Sequence, residues 1–431
     1  MAKISLAYGR GQVELEVPDH QLKGIYAPHE RPGVPDVAAE VRRALQVPLG
    51  TEPLSRLARG KRRAVLVVDD ATRAVPNSQI LPPLLAELQA AGLKENQISV
   101  LVARGLHRRS TPAELRATLG EYAHRIKISN HEPDDPQQLV FLGRTRLGTN
   151  VYLNKEFLRA DLKILVGDVE YHQFAGYGGG AKSVYPGLAD RESIRLSHSR
   201  LDLPGTGPGR LQGNPVREEI DEVGRMAGVD FGLNVVLNSR NQVVRAFAGD
   251  LMGAFQAAVQ LCDEIYKVQV PCRVGMVIAS AGGYPKDIDL YQAQKALEGA
   301  TRLVRKGGKV ILLAECREGH GSPVCYEWMS AARTLEDIFH RIREAFVMGG
   351  HKAYQLAREL AWAKVYLLSA MEPELVRKFF LHPLQGTAET EQIIRAEREI
   401  AVLPQATSTL ILPDADGARN EEQLEKTSLG Q

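Results

Sequence analysis

Residues 64–73 read AVLVVDDATR. Five consecutive apolar residues, Ala64 to Val68, suit a central strand covered on both faces, because such a strand shows no apolar-polar alternation. It delivers Asp69, Asp70, Thr72 and Arg73 to its carboxyl end. Further on, Leu81, Leu84, Leu85 and Leu88 recur at helical spacing and stop at Gly92, so a helix returns the chain. Ile98 to Ala103 is the next strand and delivers Arg104, Gly105 and His107. Thr111, Pro112 and Glu114 are the N-cap, N1 proline and N3 carboxylate of another helix. A third apolar run, Leu162 to Val166, ends at Gly167 and leads to His172.

Three strands therefore place reactive side chains just past their carboxyl ends, the edge where ligands bind in open α/β sheets. After the third strand comes YHQFAGYGGGAKSVYPGLADRESIRLSHS, residues 171–199. Gly176, Gly178, Gly179 and Gly180 permit positive φ and close approach to a bound group. Lys182 follows them, yet the spacing matches neither the P-loop nor the Rossmann fingerprint.

Composition bounds the alternatives. At 431 residues, 44% hydrophobic and 25% charged, the chain has the make-up of two or three globular domains. A net charge of +2 gives no reason to expect nucleic acid. The start, MAKISLAYGRGQ, lacks a signal-peptide core, and no apolar run approaches the roughly 20 residues of a membrane span. Cys262, Cys272, Cys316 and Cys325 form no CxxC pair, which argues against a disulfide framework or structural zinc. The expectation is a cytoplasmic protein with no membrane or nucleic-acid partner.

Ile4 to Tyr8 and Val13 to Val17 read as a hairpin, followed by a helix over Val37 to Leu45. Beyond residue 199, helices are expected at Pro215 to Ala227 and Leu251 to Val268, with a strand pair at Phe231 to Leu237 and Val243 to Phe247. A second α/β set follows: strand Val274 to Ser280, helix Asp289 to Val304, and strands Val310 to Ala314, Val365 to Leu368 and Leu410 to Leu412. The expected fold class is α/β, two α/β domains with mainly parallel sheets and an active site in the inter-domain cleft. Residues 1–250 would form the N-terminal domain, 251–271 a helical linker, 272–413 the C-terminal domain and 414–431 a polar tail.

These residues carry a resemblance. Asp70-x-Thr72-Arg73, Gly105-x-His107-Arg108, the block His172 to His198, Gly213-Asn214-Pro215-Val216-Arg217-Glu218, Lys295, and Gly350-His351-Lys352-Ala353 occur in the order found in the nickel-dependent lactate racemase family. The chain resembles that group of 2-hydroxyacid racemases and epimerases over most of its length.

The resemblance implies a nickel-pincer nucleotide, a pyridinium-3,5-bisthiocarboxylic acid mononucleotide, tethered covalently at Lys182. It implies His198 as the protein's metal ligand, which suits a square-planar ion given three donors by the pincer. It implies His107 and His172 as the acid/base pair, and histidine titrates near neutrality. Arg73 and Lys295 would bind the substrate carboxylate, the guanidinium as a planar fork. Asp70 and Thr72 would hold the cofactor's ribose or phosphate, and the four glycines would let backbone amides reach the phosphate. Partner proteins would be cofactor-assembly enzymes; oligomeric state is left open.

The implied function is racemisation or epimerisation of a small 2-hydroxyacid, lactate first, by reversible hydride transfer through a 2-keto acid. Tyr291 and Lys295 lie one helical turn apart and would line the pocket with Gln292, whose longer amide would suit a more polar side group. Arg104, Arg108 and Arg109 surround His107 and are candidates for a second carboxylate, as malate would require. An NAD-type dehydrogenase predicts a GxGxxG that no stretch supplies. A non-catalytic nickel-binding protein predicts histidine- or cysteine-rich runs, and there are none. His124, His131, His320 and His340 are read as surface or hydrogen-bonding residues, and Trp328 and Trp362 as packing.

Overall fold

The structure, a computed structural model, describes residues 1–413. It divides into two α/β units, one of residues 30–265 and one of residues 1–29 together with 266 onward. Among the described residues no helix is long and apolar enough to cross a membrane.

The unit of residues 30–265 is built on a six-stranded sheet. Its order is Val243–Gly249, Phe231–Leu237, Leu162–Asp168, Ala64–Asp69, Ile98–Ala103, Lys127–Asn130. All neighbours are parallel except the Val243–Gly249 edge, which closes the expected hairpin. From Ala64–Asp69 the chain runs outward to Lys127–Asn130, then returns to pair Leu162–Asp168 on the other side, with Leu66 opposite Ile164 and Val68 opposite Val166. The order of strands thus reverses between these two, and in doubly wound sheets that is where a crevice opens at the carboxyl ends. Asp69 and Asp168 end the two strands. Leu66, Val68, Ile164 and Val166 are fully buried, and the Asn77–Ala90 helix covers one face with Ile80, Leu81, Leu84, Leu85 and Leu88.

The other unit holds a second six-stranded sheet, all parallel: His382–Leu384, Lys364–Leu368, Val304–Leu313, Val274–Ser280, Ile400–Leu403, Leu22–Ile25. The last of these strands comes from the N-terminus. The expected N-terminal hairpin forms over Ala2–Tyr8 and Gly11–Val17, and its apolar face, Ile4, Leu6, Leu15 and Val17, packs on Met276, Ile278, Ile311 and Leu313. Residues 1–29 therefore group with the C-terminal part of the chain rather than with an N-terminal domain of 1–250.

Two other expectations are corrected. The 251–271 segment is no free linker: Leu251–Tyr266 is a helix with Phe255, Cys262 and Ile265 fully buried, and Lys267–Val270 pairs with Leu410–Pro413. That pairing takes Leu410–Pro413 out of the main sheet. The expected helix from Asp289 to Val304 is two, Leu290–Ala293 and Lys295–Leu303, because the chain turns at Gln294. The tail from Asp414 lies outside the described residues.

Candidate active site

At the end of the Ala64–Asp69 strand, Asp70 turns back on itself: its Oδ1 accepts from the Thr72 amide at 2.8 Å, and its carbonyl accepts from the Arg73 amide at 3.0 Å. The other oxygen, Oδ2, lies 2.7 Å from His107 Nδ1. Asp70 is 8% exposed while the His107 side chain is 55% exposed. Burial alone would raise the Asp70 carboxyl, but hydrogen bonds and charge from His107 and Thr72 outweigh it and hold the group at about 2. An ionised Asp70 fixes the proton of neutral His107 on Nδ1 and leaves the Nε2 lone pair to act as a base. Asp70, held by the Thr72 amide, thus orients His107, a task the sequence did not announce. The turn is secured by Gly105, at φ +52°, whose amide donates to the Gly187 carbonyl at 3.0 Å.

The arginines around His107 are committed elsewhere. Arg108 makes a two-point contact with Glu114 at 2.6 and 2.8 Å, and Arg104 and Arg109 share Glu132 at 3.1 and 2.8 Å. Three guanidinium groups thus face two carboxylates, Glu114 and Glu132, each arginine with an ion-pair partner within the protein.

Beside the third strand, Tyr171–His172 pairs with Gly176–Tyr177 in a small hairpin. His172 Nδ1 accepts from the Ala175 amide at 3.3 Å, so neutral His172 carries its proton on Nε2. The two histidines of the expected pair therefore rest in opposite tautomers. Phe174 stands edge-on to both His172 and His198, with ring centroids 4.6 and 5.2 Å apart. His198, in the last turn of the Arg191–Ser199 helix, donates from Nδ1 to the Ile194 carbonyl at 2.9 Å. Its Nε2 is left as a lone-pair donor, the arrangement found when a histidine ligates a metal through the opposite nitrogen. Among the described residues, no three His, Cys, Asp or Glu side chains converge as a metal site.

The glycine run is close-packed against the protein itself. A Cβ on Gly176 would lie 2.0 Å from the Arg210 carbonyl oxygen, one on Gly179 2.6 Å from that of Asp168, and one on Gly180 2.9 Å from the Phe255 ring. The Gly178 amide donates to the Glu170 carbonyl at 2.8 Å and the Gly180 amide to Asn234 Oδ1 at 3.1 Å. These two amides bond within the protein, and the close approaches are what require glycine at these positions. The glycines form the turn that presents Lys182, which follows in a short 3₁₀ helix, Gly180–Ser183.

Lys182 sits in a mixed-charge cluster with Arg73, Asp69, Asp168 and Glu170. Burial and then the Arg73 charge push its amine down to about 8, against the opposing pull of Asp69 and Glu170. Asp69 is pushed up to about 6 by burial, and Asp168 is raised well above the usual range by burial, Glu170 and Asp69. Arg73 Nη1 donates to Glu170 at 2.5 Å, and Glu170 foremost keeps the guanidinium charged. An amine that is partly neutral near pH 8 is a competent nucleophile. Together with His198 Nε2, it fits a group attached through lysine and ligated by one imidazole.

In the other unit, Lys295 donates to Gln292 Oε1 at 2.8 Å, and Lys352 Nζ lies 5.4 Å from the centroid of the Tyr291 ring. Lys352 is pushed down to about 7, first by burial and next by the charge of Lys295. Sequence reasoning assigned no chemistry to Lys352, nor to Glu170, Asp168, Asn234, Phe174 or Asp263. Nothing in their spacing separates them from ordinary polar or core residues; each acquires its place only when distant strands meet. His131 and the tryptophans behave as expected: His131 Nε2 meets the Ala189 carbonyl at 2.8 Å, Trp328 is buried, and Trp362 donates to the Val304 carbonyl.

Residues 8–206 match the family model described as the lactate racemase N-terminal domain, and residues 269–411 match the lactate racemase C-terminal domain. A lactate racemase from Thermoanaerobacterium thermosaccharolyticum is 31% identical over 425 residues, covering 95% of this chain and 99% of that protein. One from Lactiplantibacillus plantarum is 29% identical over 428 residues, covering 97% and 99%. The structure of the T. thermosaccharolyticum lactate racemase apoprotein is similar with a TM-score of 0.89 at 30% identity, covering 95% of this chain and all of that one. A crystal structure of a Thermotoga maritima protein shares the fold at 19% identity, with a TM-score of 0.65, covering 88% and 98%.

Proposed function

This chain belongs to the lactate racemase family and is an isomerase, a racemase, and on that premise we propose that it interconverts the enantiomers of a small monocarboxylic 2-hydroxyacid, lactate first. The observation that carries the reading is the pair of histidines in opposite tautomers at the carboxyl edge of one sheet, His107 with a basic Nε2 and His172 with a protonated one. Racemisation needs a proton taken from and returned to the substrate hydroxyl whichever face of Cα reacts, and such a pair supplies an acceptor and a donor at rest.

The residues fit a nickel-pincer nucleotide. Lys182 would hold it through its amine, and His198 would ligate the nickel through Nε2. What that group supplies when bound is a reversible acceptor for the substrate's Cα hydride, with a 2-keto acid as the oxidised partner. The protein's own part is to orient and to move protons. Asp70 holds His107 in register for the hydroxyl proton, and its negative charge stabilises the imidazolium that forms. Arg73, kept charged by Glu170, and Lys295, oriented by Gln292, are proposed to hold the substrate carboxylate.

The test uses protein produced alongside cofactor-assembly enzymes and lactate deuterated at Cα. Racemised product that keeps its Cα deuterium is expected. Washout of that label into water would sink hydride transfer and point to proton abstraction at Cα.

A further inference from the structure

The helix Pro215–Met226 carries neither histidine of the expected pair, yet its buried face holds charged side chains that an apolar core has no use for. Arg217 is 1% exposed. Its Nε and Nη2 pair with Asp221 at 3.0 and 2.6 Å, its Nη1 donates to the Tyr177 carbonyl at 3.3 Å and faces that of Gly179 at 3.5 Å, and its guanidinium lies 4.1 Å over the Phe255 ring. Both carbonyls belong to the glycine turn that presents Lys182. A planar fork suits two backbone oxygens and one carboxylate at once, which a lysine ammonium does not.

Two residues further on, Glu219 reaches another part of the site. It is 1% exposed; Oε1 accepts from the Thr145 and Thr149 hydroxyls, each at 2.7 Å, and Oε2 accepts from Arg200 Nη1 at 2.6 Å. Arg200 is the C-cap of the helix that carries His198. Asn214, which caps the start of Pro215–Met226 through Oδ1, also donates to the Phe174 carbonyl at 2.8 Å. One helix therefore grips the Lys182 turn, the end of the His198 helix and the backbone of the ring standing between His172 and His198.

We propose that Pro215–Met226 is a positioning element, in which Arg217 fixes the Lys182 turn and Glu219, through Arg200, fixes the His198 helix, so that the two are held at a set separation. This rests on the reading of Lys182 and His198 given above. The physical logic is that a group fastened at two points gains from a frame already at the right spacing, since no ordering remains to be done on binding.

The experiment is hydrogen exchange by mass spectrometry on the full chain without cofactor, comparing wild type with Arg217→Met, Arg217→Lys and Glu219→Gln. Arg217→Met is expected to speed exchange in residues 176–184 by about tenfold or more while the Leu162–Asp168 strand keeps its protection. Arg217→Lys should fall between, and Glu219→Gln should act on residues 191–203 instead. In protein made with the assembly enzymes, Arg217→Met should lower the fraction of chains carrying added mass on Lys182, and Glu219→Gln the nickel retained per chain. Unchanged exchange in both segments, or a rise spread evenly over residues 30–265, would overturn the proposal. The exchange readout needs no cofactor, so wild-type protein that never racemises lactate would count against the proposed function alone.

Discussion

Asp70 Oδ2 and His107 Nδ1 are 2.7 Å apart although the two residues come from the ends of different strands, 37 positions apart in the chain. Strands Ala64–Asp69 and Ile98–Ala103 are parallel neighbours in register, Asp69 opposite Ala103, and the turns that follow them meet. The contact fixes which nitrogen of His107 carries the proton.

Replacing Asp70 by Asn keeps the shape and removes the charge. The resulting amide either reverses the tautomer or leaves the imidazolium unsupported, so kcat for lactate is expected to fall by about 100-fold or more. A pH-rate profile measured on Asp70→Asn should also show the acidic limb of the wild type displaced to lower pH, since the base His107 loses the charge that favours its protonated form. An unchanged profile would show that Asp70 does not act through His107.

The same carboxyl makes a pH-dependent contribution to stability. Its folded pKa of about 2 lies below the ordinary value of 3.8, so the contribution is fully present above pH 3.8 and is lost as pH falls through 2. Thermal melts between pH 5 and 2 should therefore show a smaller acid-induced loss of stability in Asp70→Asn than in the wild type, by on the order of 2 kcal/mol at most.

At Lys182 it is the charged form that opposes folding. Its folded pKa of about 8 is below the ordinary 10.5, so the cost is fully present below pH 8, and stability from this group rises between pH 8 and 10.5, where the unfolded chain binds more protons than the folded one. Site-resolved acylation of the cofactor-free protein should give Lys182 a midpoint near 8. A midpoint near 10, shared with surface lysines, would remove the case for an activated amine.

His198→Ala should separate attachment from metal binding. Intact mass is expected to show the nucleotide still on Lys182, with nickel content reduced from about one per chain to near zero, since one imidazole supplies the protein's donor. Retention of nickel in the variant would move the ligand elsewhere.

Both hydroxyls of Tyr171 and Tyr177 donate to Asp263 Oδ1, at 2.9 and 2.6 Å, which ties the His172 hairpin to the Leu251–Tyr266 helix. Asp263→Ala removes the acceptor that the two hydroxyls share, leaving Tyr177 only its longer bond to the Gly209 carbonyl, so a loss of about 1–2 kcal/mol in stability is expected, read from urea melts. A lower kcat should accompany it as His172 loses its support. A variant as stable as wild type would show the tie to be without weight.

The local signals in the chain were sufficient for much of this protein. Apolar runs without alternation marked Ala64–Val68 and Leu162–Val166 as doubly covered strands, and the capping box at Thr111 and Glu114 forms as its spacing required. Periodicity and caps depend on neighbours within a few residues, and those are present in the sequence itself. The motifs around His107, Lys182 and His198 were legible for the same reason: each is a short contiguous stretch.

What only the tertiary structure decided are pairings between segments far apart in the chain. The strand Leu22–Ile25 carries too few residues to declare a partner, and joins Ile400–Leu403 nearly four hundred residues later. Asp70 gives no sign in the sequence of its contact with His107, which comes from another strand. The glycines announce close approach without saying to what, until Arg210, Asp168 and Phe255 are seen against Gly176, Gly179 and Gly180. Arg104, Arg108 and Arg109 read as candidates for a substrate carboxylate until Glu114 and Glu132 are seen to pair with them. Composition and spacing state which groups a segment offers; burial and charge depend on what a distant segment brings to meet them.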